Sequence, residues 1–437
     1  MHKKLLYIAY YFPPVGGSGV QRVLKFVKYL PQCGWDPVVL TVKEIDYLVH
    51  DYSLLQELSR EVRIIRTGSA DPQRLSACLF RRRRPAVTPD KPVTQNTTFV
   101  EGSTPLRFYR LMRDVLMFPD AQIGWIPFAY TAGLKAIREY QIDAIVAAMP
   151  PHSSAFLAEM LSRRTGVPYV LDFRDSWTDD PDFRFISRWH RRGHAVLERR
   201  AIQNAKAITV YGEPLKRVFS KRYPQVADRI DVLTNGFDEG DLEGAAPNAG
   251  SDKPRIVYQG SLNKYHEENF SVFLCAMRDL PEGIRDSFEV AFVGRASSRA
   301  QEATVAAGLQ KQITFTSYLP HREALGHLRS ASAALLFIPK WDVASFTGKL
   351  FEYLMVGCPI IACVEPKGAC AEVLRQAGHG AWICPPDDAV RLRETIIALA
   401  EAGWPRPYPT HVDQFSRRRI TERLAAVCDR VVAHNGR

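Results

Sequence analysis

Residues 3–19 read KKLLYIAYYFPPVGGSG. Leu5–Tyr11 is apolar without alternation, the pattern of a strand buried on both faces. Pro13-Pro14 ends the run, glycines follow at Gly16, Gly17 and Gly19, and Val20–Leu30 takes up a helical period. Strand, glycine turn and helix open a doubly wound parallel sheet. Lys3-Lys4 before a short apolar run also has the outline of a signal peptide. The proline pair cuts that run short and no small-residue cleavage pattern follows, so a first strand in a cytoplasmic protein is expected.

The same rhythm continues. Strand candidates lie at Pro37–Val42, Val62–Arg66, Ala144–Ala148, Tyr169–Phe173, Ala207–Tyr211 and Ile230–Leu233. Amphipathic stretches such as Ser154–Arg164 and Trp189–Asn204 separate them. Glu239–Pro254 then shifts to Gly, Ala, Asp, Asn and Pro, a linker composition. Beyond it strands restart at Arg255–Gln259, Phe288–Val293, Ile313–Thr316, Ala333–Phe337, Ile360–Val364 and Ala381–Cys384. Two similar α/β units are therefore expected, over 1–240 and 252–410, with a charged amphipathic helix in 411–437. Arg81-Arg82-Arg83-Arg84 opens a polar stretch over 81–104, expected as an exposed insertion.

The chain's 437 residues suffice for two domains with full cores, and 46% hydrophobic residues exclude wholesale disorder. Lys and Arg number 58 against 47 Asp and Glu, a net charge of +11. That surplus suits an anionic partner: nucleic acid, an anionic membrane or a phosphorylated small molecule. The eight cysteines form no C-x-x-C pair, which reads as reduced core thiols. No apolar run reaches the roughly 18 residues of a membrane-spanning helix.

Four places carry candidate chemistry. Gly16-Gly17-Ser18-Gly19 sits between strand and helix, where glycines let a ligand approach the backbone and the helix start favours an anion. Arg22 occupies the third glycine position of a dinucleotide fingerprint, so that pattern fails, and a tight turn without a ligand remains the plain alternative. Pro150-Pro151-His152-Ser153-Ser154 follows a strand end, where His152 is either a functional or a capping residue. Asp172-Phe173-Arg174-Asp175-Ser176-Trp177 places two carboxylates around one Arg, to orient a polyol or to form a helix cap and a structural ion pair.

The fourth is Ser345-Phe346-Thr347-Gly348-Lys349-Leu350-Phe351-Glu352-Tyr353. A Ser/Thr/Gly loop entering a helix offers N–H groups to phosphate. Lys349 is unfavourable at the positive end of a helix dipole, so an anion there relieves a cost. Glu352 falls one turn on; the plain alternative is an i, i+3 surface salt bridge. His190 and His194 are i, i+4 but lack a third ligand, so no metal site is expected. No H-E-x-x-H, G-x-S-x-G or P-loop is present.

With these places marked, the chain resembles the GT-B-fold retaining glycosyltransferases of family 4. The resemblance is carried in order by Tyr11-Phe12-Pro13-Pro14 with Gly16-Gly17, by Phe118-Pro119-Asp120 and Gly124-Trp125, and by Pro150-Pro151-His152-Ser153. It continues through Asp172–Trp177, Asn235-Gly236-Phe237-Asp238, Gly260-Ser261-Leu262, Val293-Gly294-Arg295 and Lys349-Leu350-Phe351-Glu352-Tyr353. It implies two Rossmann-like domains facing a cleft, acceptor on the first and nucleotide-sugar on the second, the last helix returning to the first. It implies a nucleoside-diphosphate-sugar donor, UDP or GDP expected, with no other cofactor and no metal.

By position, Gly16, Gly17, Ser261, Lys264, Arg295, Thr347, Gly348, Lys349, Leu350 and Glu352 would hold the donor, Glu352 on the ribose hydroxyls. His152, Lys349 and Asp175 would be catalytic, and Asp172, Arg174 and Trp125 would meet the acceptor. The chain departs from the family at Ser261 and His266, where members commonly carry Arg and Lys, and at Ala344, where many carry Glu. The implied reaction moves a sugar, with retention, to a saccharide or lipid-linked acceptor of a surface polysaccharide such as lipopolysaccharide. The rivals are a sugar-nucleotide 2-epimerase and a non-catalytic binding protein. Nucleic acid is not expected as a partner. The 81–104 insertion and Val115–Tyr130, with Trp125 and Phe128, suggest peripheral contact with an anionic membrane at the inner face of the plasma membrane. The equal alternative is that Trp125 and Phe128 are core residues.

Overall fold

The computed structural model describes residues 2–16, 18–43, 51–71, 118–179, 185–243, 245–248, 253–317, 319–344, 346–405 and 411–435. Gly17, Ser345 and the 81–104 stretch lie outside them. The chain divides into two units, Met1–Thr234 with Thr421–Arg437, and Asn235–Ile420.

The strands of unit 1 are β1 (Lys3–Ile8), β2 (Trp35–Val42), β3 (Arg63–Thr67), β4 (Ala144–Met149), β5 (Tyr169–Phe173), β6 (Ala207–Val210) and β7 (Ile230–Val232). They form one sheet in the order β3-β2-β1-β4-β5-β6-β7, and every neighbouring pair is parallel. Parallel neighbours require crossovers, and helices such as Ser18–Tyr29 and Ser153–Thr165 supply them. Central β1 and β4 are covered on both faces, which is why Leu5–Ile8 and Ala144–Met149 are buried throughout. The last helix, Arg417–Asn435, joins unit 1 from Thr421 on. Asp429 pairs with Lys3 at 2.6 Å, Arg430 pairs with Asp231, and Leu424 and Cys428 are buried.

Unit 2 repeats the plan with β8 (Arg255–Gln259), β9 (Glu289–Val293), β10 (Ile313–Phe315), β11 (Ala333–Phe337), β12 (Ile360–Cys363) and β13 (Ile383–Cys384). The order is β10-β9-β8-β11-β12-β13, again all parallel. Phe270, Phe273, Phe292 and Phe337 pack around Tyr258 on one side of the sheet, and Leu350, Phe351, Tyr353 and Leu354 fill the other. Five of the seven described cysteines are buried, and burial pushes the thiols of Cys370 and Cys428 up to about 12.

Two expected acceptor ligands belong to the interior of unit 1. Trp125 has no exposed surface; its Nε1–H donates to Thr67 Oγ1 at 2.7 Å and its ring meets Tyr10 edge-on. Gly124 beside it lies against the Ala70 backbone, where a Cβ would come within 2.8 Å. Trp125 is therefore a core residue; of the two aromatics expected at a membrane, Phe128 is the exposed one.

Asp172 is likewise fully buried. Its Oδ2 accepts from Arg22 Nε at 3.0 Å, and its Oδ1 accepts from Arg22 Nη2 at 2.8 Å and Thr209 Oγ1 at 2.6 Å. Arg22 also donates through Nη1 to Thr234 O at 2.9 Å. This bidentate pair is an internal tie between the first helix and β5, not an acceptor ligand. Asp172→Ala would strand a buried guanidinium, so the unfolding free energy should fall by about 3–5 kcal/mol in denaturant titration. An Asp172→Ala protein of undiminished stability would return this residue to the ligand list.

Candidate active site

In doubly wound sheets ligands gather where the strand order reverses, beyond the carboxyl ends of the strands. In unit 2 that point lies between β8 and β11. There β8 runs into Gly260 at φ +111° and β9 into Gly294 at φ +137°. A Cβ on Gly260 would lie 2.5 Å from Lys349 Cε, and one on Gly294 would lie 2.7 Å from the Gly260 carbonyl oxygen. Only glycine allows these two strand ends and a lysine to come so close.

Lys349 is the second residue of the helix Gly348–Val356. Thr347 caps that helix without a side-chain hydrogen bond, and its first turn carries no acid. Leu350, in the core, turns its N–H back to Thr347 O at 3.2 Å. The Lys349 ammonium donates to Tyr258 Oη at 3.0 Å and lies 4.4 Å from the centre of that ring. The hydroxyl in turn donates a hydrogen bond to Ser261 O at 3.3 Å. A neutral phenol and a π face replace water poorly, and burial pushes the Lys349 pKa down to about 8 against the opposing pull of Glu352.

Glu352 forms no ion pair with Lys349. Its Oε2 accepts from Gln259 Nε2 at 3.1 Å and its Oε1 meets His321 Nε2 at 3.1 Å. Tyr353 fixes the same strand end by accepting the Gln259 N–H at 2.8 Å. His266 lies edge-on to Tyr258, and burial together with Lys349 pushes its pKa down to about 4. Ser261 and Arg295 are exposed on the two strand-end loops, joined where Leu262 N–H donates to Arg295 O at 2.8 Å. Lys264 is exposed over the Tyr265 ring. Tyr258, Gln259 and His321 escaped the sequence reading. A tyrosine and glutamine ending a buried strand were the available signal.

The corresponding point of unit 1 lies between β1 and β4. Gly16 is buried after β1, and a Cβ at Gly19 would collide with the Arg174 guanidinium arriving from the end of β5. Arg174 Nε stands 3.6 Å from the half-exposed carboxylate of Asp175. The structure thus brings Arg174 and Asp175 to the start of the first helix. His152 follows β4 and precedes the helix Ser153–Thr165, whose first N–H is held by Asp120 Oδ2 at 2.8 Å. The imidazole is buried and lies flat on Trp177, centroids 4.2 Å apart and planes 1° off parallel. Burial pushes its pKa down to about 3, so it is neutral at physiological pH.

Trp177 Nε1–H donates to His194 Nδ1 at 3.0 Å. Indole is a donor only, so the His194 proton sits on Nε2, which meets His190 Nε2 at 3.2 Å. This His194 has no lone pair left for a metal. Burial holds its pKa down at about 4.

Two Rossmann-like parallel sheets, each with glycines at strand ends and helix starts at its switch point, define a doubly wound α/β protein of two units. The signature described as "Glycosyl transferase 4-like domain" matches residues 17–236 and "Glycosyl transferases group 1" matches residues 253–402. The chain belongs to the glycosyl transferase 4-like family, and it is a glycosyltransferase of GT-B fold. A 2-deoxystreptamine N-acetyl-D-glucosaminyltransferase of Streptomyces fradiae is 24% identical over 308 residues, 63% of this chain and 70% of that protein. The lipopolysaccharide outer core galactosyltransferase WaaB, in its apo form, shares the fold at TM-score 0.56 and 12% identity, covering 98% of this chain and 99% of that one. The UDP-GlcNAc 2-epimerase of Methanocaldococcus jannaschii shares it at TM-score 0.55 and 11% identity, with 98% and 99% covered.

Two outcomes follow from the charges. The unfolded chain protonates His152 and His194 near pH 6.5, whereas the folded one resists to about 3 and 4. Stability should therefore decline as pH falls from 6.5 towards 4, and His194→Asn should flatten that decline in thermal melts across pH. Lys349→Met should raise the melting midpoint of the ligand-free protein at pH 7, because it removes a desolvated charge. Wild type should close that gap as pH rises from 8 towards the ordinary lysine value, since only the unfolded chain then keeps its proton.

Proposed function

We propose that the protein transfers a sugar from a nucleoside-diphosphate-sugar to a saccharide or lipid-linked acceptor in cell-surface polysaccharide synthesis. It works with retention and without a metal, in the cytoplasm, in peripheral contact with an anionic membrane. The observation that carries the reading is Lys349, seated over Gly260 at the start of the helix Gly348–Val356 with Glu352 one turn on. A diphosphate satisfies both the ammonium and the first-turn N–H groups, and the Glu352 carboxylate accepts from two neighbouring ribose hydroxyls. As the sugar–phosphate bond breaks, negative charge grows on the leaving diphosphate, and a poorly hydrated cation there favours the transition state.

In this reading Ser261, His266 and Ala344 are not losses of function, because Lys349 supplies the phosphate charge from the helix side. Neutral His152 hydrogen-bonds the transferred sugar and does not act as a base. Arg174 and Asp175 receive the acceptor. The acceptor attacks on the face from which the diphosphate leaves, its proton passing to a phosphate oxygen. The Streptomyces fradiae relative is an N-acetyl-D-glucosaminyltransferase, which supports a sugar donor of this kind.

The test is a thermal shift with UDP, GDP and ADP on wild type and Glu352→Ala. Uridine or guanosine diphosphate should stabilise wild type by about 2.7 kcal/mol at about 100 times its Kd, and the variant should lose most of that gain. No shift with any of the three ends this reading.

A further inference from the structure

The helix Arg188–Asn204 of unit 1 has a single acidic residue, Glu198, and it points inward. Its carboxylate is consumed by Thr178 N–H and Oγ1 at 2.9 Å, by Arg222 Nη1 at 2.9 Å and by Tyr223 Oη at 2.7 Å. His194, Ala201 and Ile202 are buried on the same side, and Gly193 lets the helix close on Phe118. What remains outward is cationic. Arg188, Arg191, Arg192 and Arg199 are exposed, and among the described residues none of the four has an ion-pair partner.

Among these charges stand apolar groups. Trp189 is 76% exposed, with the Arg192 guanidinium 5.0 Å from its ring centre, and Val196 is 62% exposed. A solvated surface needs neither a bare indole nor a bare valine at these places. Indole and arginine together suit the headgroup layer of a bilayer, where phosphates meet the guanidinium groups and the ring lies at the apolar boundary. A nucleic acid offers phosphates too. One face of the indole is already covered by Arg192, though, and Val196 adds nothing to base stacking.

We propose that the outward face of the helix Arg188–Asn204 docks the protein on a bilayer of anionic phospholipid, its arginines on headgroup phosphates and Trp189 at the interface. The docking face gives the membrane contact proposed above a definite place, and it rests on that contact. It does not depend on the donor site.

The experiment is co-sedimentation of the full chain with vesicles of phosphatidylcholine alone or containing phosphatidylglycerol, at low and high salt. The proteins are wild type, the triple variant Arg188→Gln, Arg192→Gln, Arg199→Gln, and Trp189→Ala. Unchanged melting midpoints and unchanged nucleoside-diphosphate shifts certify that the variants are folded. Wild type should bind only the anionic vesicles and release them in salt. The triple variant should bind about a hundredfold more weakly, each arginine near such a surface contributing about a factor of five. The blue shift of wild-type fluorescence on binding should shrink in Trp189→Ala. If wild type ignores both vesicles, the membrane contact falls and this surface with it. If the triple variant sediments as wild type does, the surface is wrong while the contact stands. If wild type ignores vesicles but binds an RNA homopolymer through the three arginines, the face reads nucleic acid instead.

Discussion

Parallel strands all finish on the same edge of their sheet, and a chain that must cross back by a helix starts that helix on the same edge. This constraint sets the address of nearly every residue with chemistry to offer. In unit 1 it gathers Gly16, His152, Arg174 and Asp175 at strand ends. In unit 2 it brings Gly260, Gly294 and Lys349 so close that two of the three can have no side chain. Helix starts are short of hydrogen-bond acceptors, so the crowded edge is also the edge with spare N–H donors.

Against that background two cations, fully buried Arg22 and half-buried Lys349, do opposite things. Arg22 is enclosed with a carboxylate that takes two of its donors, and the pair ties a helix to β5. Lys349 is enclosed with a neutral hydroxyl and a ring, and it loses proton affinity as a result. The first arrangement is complete within the fold. The second leaves a poorly hydrated charge facing neutral groups, the kind of cost that functional sites retain.

The architecture was legible because each strand of a doubly covered sheet must be a short apolar run, and all thirteen strands among the described residues lie where such runs stand. Lys349 and Glu352 were legible as neighbours because helical spacing alone puts them on adjoining faces. Their partners were not. Tyr258 meets Lys349 across 91 residues and His321 meets Glu352 across 31, distances that no local period encodes. Asp172 and Trp125 were misjudged for the same reason. A carboxylate beside an arginine at a strand end looks solvent-facing until Arg22, 150 residues away, is seen to reach it. A tryptophan in an aromatic stretch carries no mark of whether Thr67 lies within reach of its indole.

The mixture of roles within Asp172–Trp177 bears on how any library of variants should be scored. Of its charged members and its tryptophan, Asp172 and Trp177 are sealed inside unit 1, whereas Arg174 and Asp175 reach its edge. If Arg174 and Asp175 receive the acceptor as proposed, a screen that counts only product would rank all four as indispensable and suggest one continuous catalytic motif. Dividing each signal by the amount of folded protein in the cell would split the motif in two. The sealed pair would drop out as defects of abundance, and what was left would outline the working surface.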